Sequence, residues 1–280
     1  MNQLKYINSF GEEVDFRKYE IQIYQGQFHS SSWSVETIEQ IYGTSITGFK
    51  KDALSLEMVV AVRGNKKENT LNTMFETFEK DIFNNSLGKL YWGDYYVNCV
   101  ILTNETVPSK TFYGAETSLT VYAPYPFWIK EISRDFIKDS DEEVNVGLDY
   151  PYDYMYDYTP DIKGLRTWYV DHFAPSNFNM IIYGPVVNPR ILINGYPYEV
   201  FVTLQQNEYL IISNVNNQNT VVQYRNNGTT LNIFDLRGGK DTNQSIFKQI
   251  PGGNLTINWS GDFSFTIKLF TERGIPKWLS

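Results

Sequence analysis

The chain has 280 residues, a net charge of −8 and a single cysteine. This length is about right for two domains of modest size, and one cysteine excludes both an intrachain disulfide and a zinc knuckle. The acidic balance and the scattered lysines and arginines argue against nucleic-acid binding, which usually needs a basic stripe.

The N-terminal residues are Met-Asn-Gln-Leu-Lys-Tyr, which form no apolar run of the secretory kind. No stretch approaches the ~18–20 apolar residues that cross a membrane. The sequence therefore predicts a protein made in a reducing cytoplasm.

A strand with one apolar face is predicted in the first quarter of the chain. Apolar side chains recur at every second position, at Leu54, Leu56, Met58, Val60 and Val62. That period of two is typical of a β-strand. Just before it, residues 43–48 (Gly-Thr-Ser-Ile-Thr-Gly) are bounded by glycines, which favours a turn or loop.

One helix is predicted at about residues 70–84. Its apolar residues follow helical spacing: Leu71, Met74, Phe75, Phe78 and Ile82. Asn69 or Thr70 can cap its start, and Asn84-Asn85 with Gly88 can end it. Such a stripe predicts a face buried in the core.

A hairpin follows the helix. Residues 90–92 and 95–102 have strand character and are joined at Gly93-Asp94. Cys99 lies in the second strand, where it is expected to be a small buried apolar side chain. Another alternating strand at residues 118–122 runs into Pro124 and Pro126, which end it.

Residues 133–164 change character and are predicted to be a linker. Acidic residues cluster from Asp139 to Glu143, and residues 147–158 alternate mainly tyrosine with aspartate. Carboxylates recur every four residues at Asp149, Asp153, Asp157 and Asp161. Paired carboxylates can serve a glycosidase, but a segment rich in proline and glycine favours solvated acids.

The second half is predicted to be a β-sandwich. Asn194-Gly195 and Asn227-Gly228 each lie between apolar runs, which predicts two hairpins with type I′ turns. Leu255, Ile257 and Trp259 then alternate with polar residues. Short strands with turns every ten or so residues are typical of a sandwich.

Taken together, these features resemble the distal tail protein family of siphophages, also known as phage tail family proteins. The resemblance rests on three segments in order. They are the β-rich first part with its one helix, the joint Gly-Leu-Asp-Tyr-Pro-Tyr-Asp-Tyr at residues 147–154, and Ile-Tyr-Gly-Pro-Val-Val-Asn-Pro at residues 182–189. It covers essentially the whole chain.

The resemblance implies a mainly β fold in three parts. Residues 1–132 would form a tail-tube-like, ring-forming domain with one helix, residues 133–164 a linker, and residues 165–280 a galectin-like β-sandwich. In this family six copies form a ring at the tail tip. The implied partners are other copies of the chain, the tail tube protein, the tail-tip protein and receptor-binding proteins, with no sequence-specific nucleic acid and no membrane insertion.

The resemblance also implies a virion structural protein of the tail tip and baseplate, made in the host cytoplasm and acting in host attachment. It brings no catalytic motif, and no catalytic, cofactor-binding or metal-binding residue is predicted. The alternative is a carbohydrate-binding module that attaches to host surface glycans. A glycan-degrading enzyme is a weaker alternative.

Several residues of types that can form sites are predicted to have structural roles. The two histidines, His29 and His172, lack metal-binding spacing, and no nucleophile elbow accompanies them. Gly238-Gly239 and Gly252-Gly253 lack the following Lys-Ser or Lys-Thr of a phosphate loop. Six tryptophans could stack on sugars: Trp33, Trp92, Trp128, Trp168, Trp259 and Trp278. Of these, Trp259 is expected in the core and Trp278 on the surface or folded back.

Overall fold

The computed structural model describes residues 4–18, 20–108, 114–139, 163–215, 218–240 and 244–278. The chain divides into two compact units. Unit 1 comprises Met1–Lys130 with Glu272–Ser280, and unit 2 comprises Glu131–Thr271. The described residues are mainly antiparallel β-strands with one α-helix, so the predicted mainly β fold class is confirmed.

Unit 1 is built from strands around one helix. Its elements in chain order are β1 Leu4–Ile7, β2 Glu13–Asp15, β3 Ile21–Gly26, β4 Ser34–Glu39, β5 Thr44–Lys50, β6 Leu54–Arg63, α1 Lys67–Phe83, β7 Gly88–Trp92, β8 Tyr95–Pro108 and β9 Gly114–Ala123, and β10 Trp128–Phe136 continues into unit 2. The strand order is β2-β1-β7-β8-β9-β6-β3. The long β8 pairs first with β7 and then with β9.

The core of unit 1 lies between this sheet and the apolar face of α1. Leu71, Met74 and Phe78 on the helix are buried with the alternating side chains of β6. The predicted strand at residues 54–62 and the hairpin at Gly93-Asp94 are both confirmed.

Two details of the helix differ from the prediction. It begins at Lys67, because Gly64 at φ +95° turns the chain and the Lys66 carbonyl already accepts from the Thr70 amide. Neither Asn69 nor Thr70 therefore caps it. Ile82, expected in the core, is 44% exposed, and Asp81 beside it is fully buried.

Unit 2 is a two-layered β-sandwich. Its strands are β11 Leu165–Val170, β12 Asn177–Tyr183, β13 Val186–Val187, β14 Arg190–Ile193, β15 Tyr196–Glu199, β16 Thr203–Leu204, β17 Tyr209–Ser213, β18 Thr220–Tyr224, β19 Thr230–Asn232, β20 Gly253–Asn258 and β21 Phe265–Arg273, with a short 3-10 helix at Phe234–Leu236. One layer has the order β19-β18-β17-β12-β21 and the other β11-β20-β14-β15. Inward side chains of both layers form one core.

The two predicted turns of unit 2 differ in kind. Asn194 (φ 49°) and Gly195 (φ 78°) both take positive φ, as a two-residue type I′ turn requires. The second hairpin also forms, but its loop is longer, since the Arg225 amide bonds the Thr229 carbonyl and of Asn227-Gly228 only Gly228 has positive φ. The type I′ prediction is wrong there.

We expect Gly195→Ala to lower the free energy of unfolding by about 1 kcal/mol, because a left-handed alanine is strained. A Cβ at this position would meet no atom within 4 Å, so backbone strain is the only cost. Chemical denaturation measures the change. The control is Asn194→Gly, which accepts positive φ, and equal stability of Gly195→Ala and wild type would contradict the turn assignment.

The described ends of the predicted linker, residues 133–139 and 163–164, belong to unit 2. Strand β10 extends to Phe136, and the Asp139 carboxylate accepts from the Gly164 amide (2.6 Å) and pairs with Arg166. Asp139, which the sequence places in the predicted linker, is therefore bonded to residues of unit 2. The chain passes from unit 1 to unit 2 at residues 130–131, and the C-terminal residues return to unit 1. As a division of function, the bounds 1–132, 133–164 and 165–280 stay a prediction.

Candidate assembly surfaces

The hairpin of β4 and β5 in unit 1 exposes its side chains on both faces. Every residue of β4 is exposed, and so are five of the seven residues of β5. Ile41 and Tyr42 at the tip are each 93% exposed. The exposed large hydrophobic residues of this hairpin and its root are Trp33, Val35, Ile38, Ile41, Tyr42, Ile46 and Phe49. Within the described part of the chain the two strands pair only with each other, and an isolated two-stranded ribbon is marginally stable in water.

The sequence forms this hairpin through local pairing. Val35 lies opposite Phe49 and Thr37 lies opposite Ile46, so one face carries a row of apolar and β-branched residues. Gly43 at φ +80° closes the turn, where the Gln40 amide donates to its carbonyl (3.0 Å). Residues 43–48, predicted to be a turn or loop, are thus mostly strand, because most of them pair with β4.

The root of the hairpin is held by Lys51. Its ammonium donates to the Ser31 hydroxyl and to the Gly274 carbonyl (3.3 Å). It also lies 5.4 Å from the ring centre of Trp33 and 5.5 Å from that of Phe127. Burial lowers the pKa of Lys51 from its ordinary value. These contacts of Lys51 therefore fix the root of the exposed hairpin.

The C-terminal segment packs on the same unit. Tyr125 donates to the Glu272 carboxylate (2.6 Å), and burial is the main cause that raises the pKa of this tyrosine. Trp278 stacks on His29 with ring centres 3.5 Å apart and planes 4° apart. Trp278 is 75% exposed and is also folded back, so it fits both of the placements that the sequence predicted.

Asp81, near the end of α1, joins the helix to the turn between β1 and β2. Its carboxylate accepts from the Tyr6 hydroxyl, the Ser9 amide (2.9 Å) and the Ser9 hydroxyl (2.6 Å). Burial first, and then the bond to Asp81, raise the pKa of Tyr6 well above its usual range. Asp81 follows Met74 by seven residues and Phe78 by three, so it lies on the apolar face of the helix. This spacing is the feature of the sequence that indicates its burial.

The outer face of the larger sandwich layer carries a row of tyrosines. Tyr183, Tyr209 and Tyr224 are cross-strand neighbours. The rings of Tyr209 and Tyr224 stack with centres 4.6 Å apart and planes 7° apart. Each of these two rings therefore covers one face of the other.

Two open clefts lie on unit 2. One, of about 380 Å³, is lined partly by Arg190, Phe201, Arg237 and Gly238-Gly239. The second, of about 550 Å³, is lined partly by Asn188, Asn258 and Asp262, with Arg190 shared. Gly238-Gly239 thus forms part of a cleft wall, and the Gly238 amide donates to the Glu199 carbonyl (2.8 Å). These walls mix charges of both signs.

The remaining candidate residues are not brought into one site. His172 is buried, and Gly252 packs against its carbonyl. Asp149, Asp153, Asp157, Asp161 and the tyrosine-rich joint lie outside the described residues. Among the described residues, no group of three metal-ligating side chains comes together. Trp128, Trp168 and Trp259 are buried, Trp92 is half-buried, and Trp33 and Trp278 are exposed.

Cys99 is fully buried in β8, as predicted, and burial raises the pKa of its thiol. Since the thiolate is the reactive form, we expect no labelling of the folded protein by a thiol reagent at pH 8. Mass spectrometry of labelled and quenched samples measures this. The variant Thr256→Cys, at an exposed position of β20, is the control, and labelling of wild type at its rate would contradict the burial of Cys99.

The described part of the chain contains no helix long and apolar enough to cross a membrane.

No family model matches this sequence, and no curated protein matches it. Solved structures do. The SPP1 Dit (gp 19.1) protein, described as a paradigm of hub adsorption apparatus in phages that infect Gram-positive bacteria, superposes with a TM-score of 0.61. The two are 12% identical over 98% of this chain and 99% of that chain.

Two structures of the phage P2 baseplate in its activated conformation, with Ca and with Sr, also match. Each has a TM-score of 0.61 and covers 99% of this chain and 100% of that chain, at 13% and 14% identity. At such identities the likeness establishes the fold. The resemblance to distal tail proteins drawn from the sequence is confirmed at that level.

Proposed function

We propose that the protein is a structural hub of a siphophage tail tip or baseplate. It forms a ring that joins the tail tube to the tail-tip and receptor-binding proteins. The observation that carries this proposal is the match of nearly the whole chain to a hub protein and to baseplate subunits. A likeness over 98% of one chain and 99% of the other includes both units, as expected when the complete architecture serves one role.

The mechanism is geometric. Unit 1 closes a ring through head-to-tail contacts, in which each copy offers two different surfaces to its two neighbours. Unit 2 supplies a sandwich for lateral attachment of other tail proteins. The exposed apolar hairpin supports this role, because large exposed apolar surfaces mark interaction sites.

The net charge of −8 fits a ring through which DNA passes. Phosphates bind where lysine and arginine are dense, so an acidic lumen repels the DNA backbone and lets it move. A reconstruction of the ring tests this point. Acidic side chains at the lumen are expected, and a basic lumen would contradict it.

The protein acts without catalysis in this proposal. The walls of the two clefts described on unit 2 hold charges of both signs, and the described residues form no group of three His, Cys, Asp or Glu side chains that could bind a metal. The test is turnover of host cell-wall polysaccharide by the intact protein. Saturable hydrolysis above that of a heat-denatured sample would contradict a purely structural role.

Inactivation of the gene in the particle that encodes it tests the proposal as a whole. Electron microscopy of the resulting lysate is expected to show no complete tails, and a plasmid copy of the wild-type gene should restore them. Complete tails without the protein would contradict the hub. If those tails fail only to attach, and the full chain binds sugars saturably on a glycan array, the carbohydrate-binding alternative gains support.

A further inference from the structure

We propose that a cleft on unit 2 binds an acidic side chain of a partner protein, on a short peptide segment that also carries a large apolar side chain. The arginine cleft is defined here as the cleft of about 380 Å³ whose lining includes Arg190, Phe201, Leu236, Arg237 and Lys240. This inference rests on the proposed hub, because it names the chemistry by which unit 2 holds another tail protein.

The arginine cleft reverses the charge balance of the chain. The whole sequence has 24 lysines and arginines against 32 aspartates and glutamates. Among the described residues that line the cleft, three are cationic and two, Glu199 and Asp235, are acidic. Charges farther away than about 10 Å are largely screened at ordinary salt concentration, so the nearest charges decide what binds. The cleft is therefore a place where an acidic protein attracts an anion.

Arg237 is held in place before any ligand arrives. Its Nη1 atom donates to the Phe234 carbonyl (2.8 Å), and its guanidinium carbon lies 4.0 Å from the ring centre of Phe234. That ring stacks in turn on Phe247, with centres 5.5 Å apart and planes 15° apart. A guanidinium has five N–H donors, and the Phe234 carbonyl occupies one of them. A fork fixed in this way loses little entropy when it binds a carboxylate.

Asp235 shows that one carboxylate oxygen can approach two of the cations together. Its Oδ1 atom lies 3.8 Å from Arg237 Nη1 and 4.0 Å from Lys240 Nζ. Both distances are longer than a hydrogen bond, and the Asp235 side chain is 95% exposed. Asp235 therefore leaves these donors open to a carboxylate that comes closer and forms short, charge-assisted bonds.

Arg190 is available on the opposite side of the cleft. It lies directly across from Glu199 in the β14–β15 pair, and its side chain is exposed. Within the described part of the chain, its guanidinium forms neither a hydrogen bond nor an ion pair. A ligand that binds Arg190 therefore breaks no existing bond of this side chain.

The apolar wall of the cleft decides which kind of anion fits. Phe201 is 51% exposed and Leu236 is 41% exposed, and the Phe201 amide donates to the Leu236 carbonyl (2.8 Å). A phosphate group alone leaves this wall in water, and a neutral sugar leaves the cations unused. A glutamate or aspartate beside a large apolar side chain uses both features, as the mixed contacts of protein interfaces do.

Gly238 allows the loop that carries Leu236 and Arg237 to lie against β15. Its amide donates to the Glu199 carbonyl (2.8 Å), and a Cβ at this position would lie 3.1 Å from the same oxygen. The glycine thus keeps the two walls of the cleft close together.

Isothermal titration calorimetry of the full chain with three capped tetrapeptides tests the site. The probe is acetyl-Gly-Glu-Phe-Gly-amide, which is expected to bind saturably at low salt. The glutamine peptide acetyl-Gly-Gln-Phe-Gly-amide should bind roughly tenfold more weakly, because neutral hydrogen bonds are about half as strong as charge-assisted ones. The alanine peptide acetyl-Gly-Glu-Ala-Gly-amide should bind roughly fivefold more weakly, because it buries less apolar surface.

Two variants and a matched control assign the binding to this cleft. Arg190→Gln should weaken binding of the glutamate peptide roughly tenfold and leave the glutamine peptide unchanged. Phe201→Ala should weaken the two peptides that contain phenylalanine and leave the alanine peptide unchanged. Arg225→Gln removes the same charge from an exposed position of unit 2 that is not part of the cleft lining, and it should bind like wild type. Thermal unfolding of Arg190→Gln and Arg225→Gln should match wild type, since both side chains are exposed.

Four results would overturn the proposal. They are no binding of any peptide, equal affinity for the glutamate and glutamine peptides, equal losses in Arg190→Gln and Arg225→Gln, and displacement of the glutamate peptide by an equal concentration of inorganic phosphate. The last result would assign the cleft to a phosphate-bearing ligand. Electron microscopy of wild type separates this proposal from the hub. Rings without peptide binding leave the hub standing and remove the site, and peptide binding without rings keeps the site and removes the ring.

Discussion

The variant Asp81→Ala should lose about 3–4 kcal/mol of unfolding free energy, a large effect for one residue of the helix. The wild-type carboxylate is fully buried and accepts from Tyr6 and from two donors of Ser9. Removing it leaves the buried Tyr6 hydroxyl without this acceptor. The Ser86 hydroxyl donates to the same carboxylate (3.3 Å). Hydrogen bonds to a charged group contribute about 1.5–3 kcal/mol each, and these four share one acceptor group, so they do not add in full.

The position of Asp81 makes this effect informative. A negative charge near the C-terminal end of a helix is unfavourable in the field of the helix dipole. The hydrogen bonds that Asp81 accepts from the β1–β2 turn offset this unfavourable interaction. Gly88 belongs to the same arrangement, because a Cβ there would lie 2.3 Å from the Tyr6 hydroxyl and 2.6 Å from the Asp81 carboxylate.

Urea unfolding of five variants measures the effect. Asp81→Asn keeps the shape and one acceptor oxygen, so we expect it to lose about half as much as alanine. Tyr6→Phe, alone and combined with Asp81→Ala, gives the coupling between the two groups. The control Glu79→Ala, exposed on the same helix, should stay within about 0.5 kcal/mol of wild type. An Asp81→Ala protein as stable as wild type would show that the cluster adds nothing.

Phe265→Ala should destabilise the protein by about 3–5 kcal/mol, the usual range for removing a fully buried aromatic ring. Phe265 is 1% exposed in the sandwich core. Its ring stacks on Phe136 with centres 4.7 Å apart and meets Trp259 edge-on at 5.2 Å. Truncation leaves a cavity among rigid rings, which collapse poorly into the space.

Denaturant midpoints of three variants test this prediction. Phe265→Leu keeps most of the volume and should lose clearly less than alanine. Thr256→Ala, on an exposed strand position of β20, is the control and should remain close to wild type. If Phe265→Ala and Thr256→Ala unfold at the same midpoint, the aromatic cluster does not stabilise the sandwich as described.

Local patterns predicted the elements that depend on local rules. The alternation through Met58 predicted β6, because a half-buried strand needs one apolar face. Asn194-Gly195 predicted its turn, because few residue pairs accept two positive φ values. In both cases the physical constraint acts within ten residues, so it is visible in the sequence.

The candidate assembly surfaces could not be predicted in the same way. Residues 34–50 carry strand-forming side chains, but whether a neighbour covers them depends on packing with distant parts of the chain. The glycines at 43 and 48 led to the prediction of a loop, although only Gly43 is needed for the turn. The return of Trp278 to His29 joins residues 249 positions apart, which no local period encodes.

The mass of the purified protein in solution, measured by light scattering and accompanied by negative-stain images, tests the ring most directly. The account predicts closed rings with a central hole and a mass near six times the 32.6 kDa of one chain. A mass of one chain at every concentration, with no rings in the images, would contradict it.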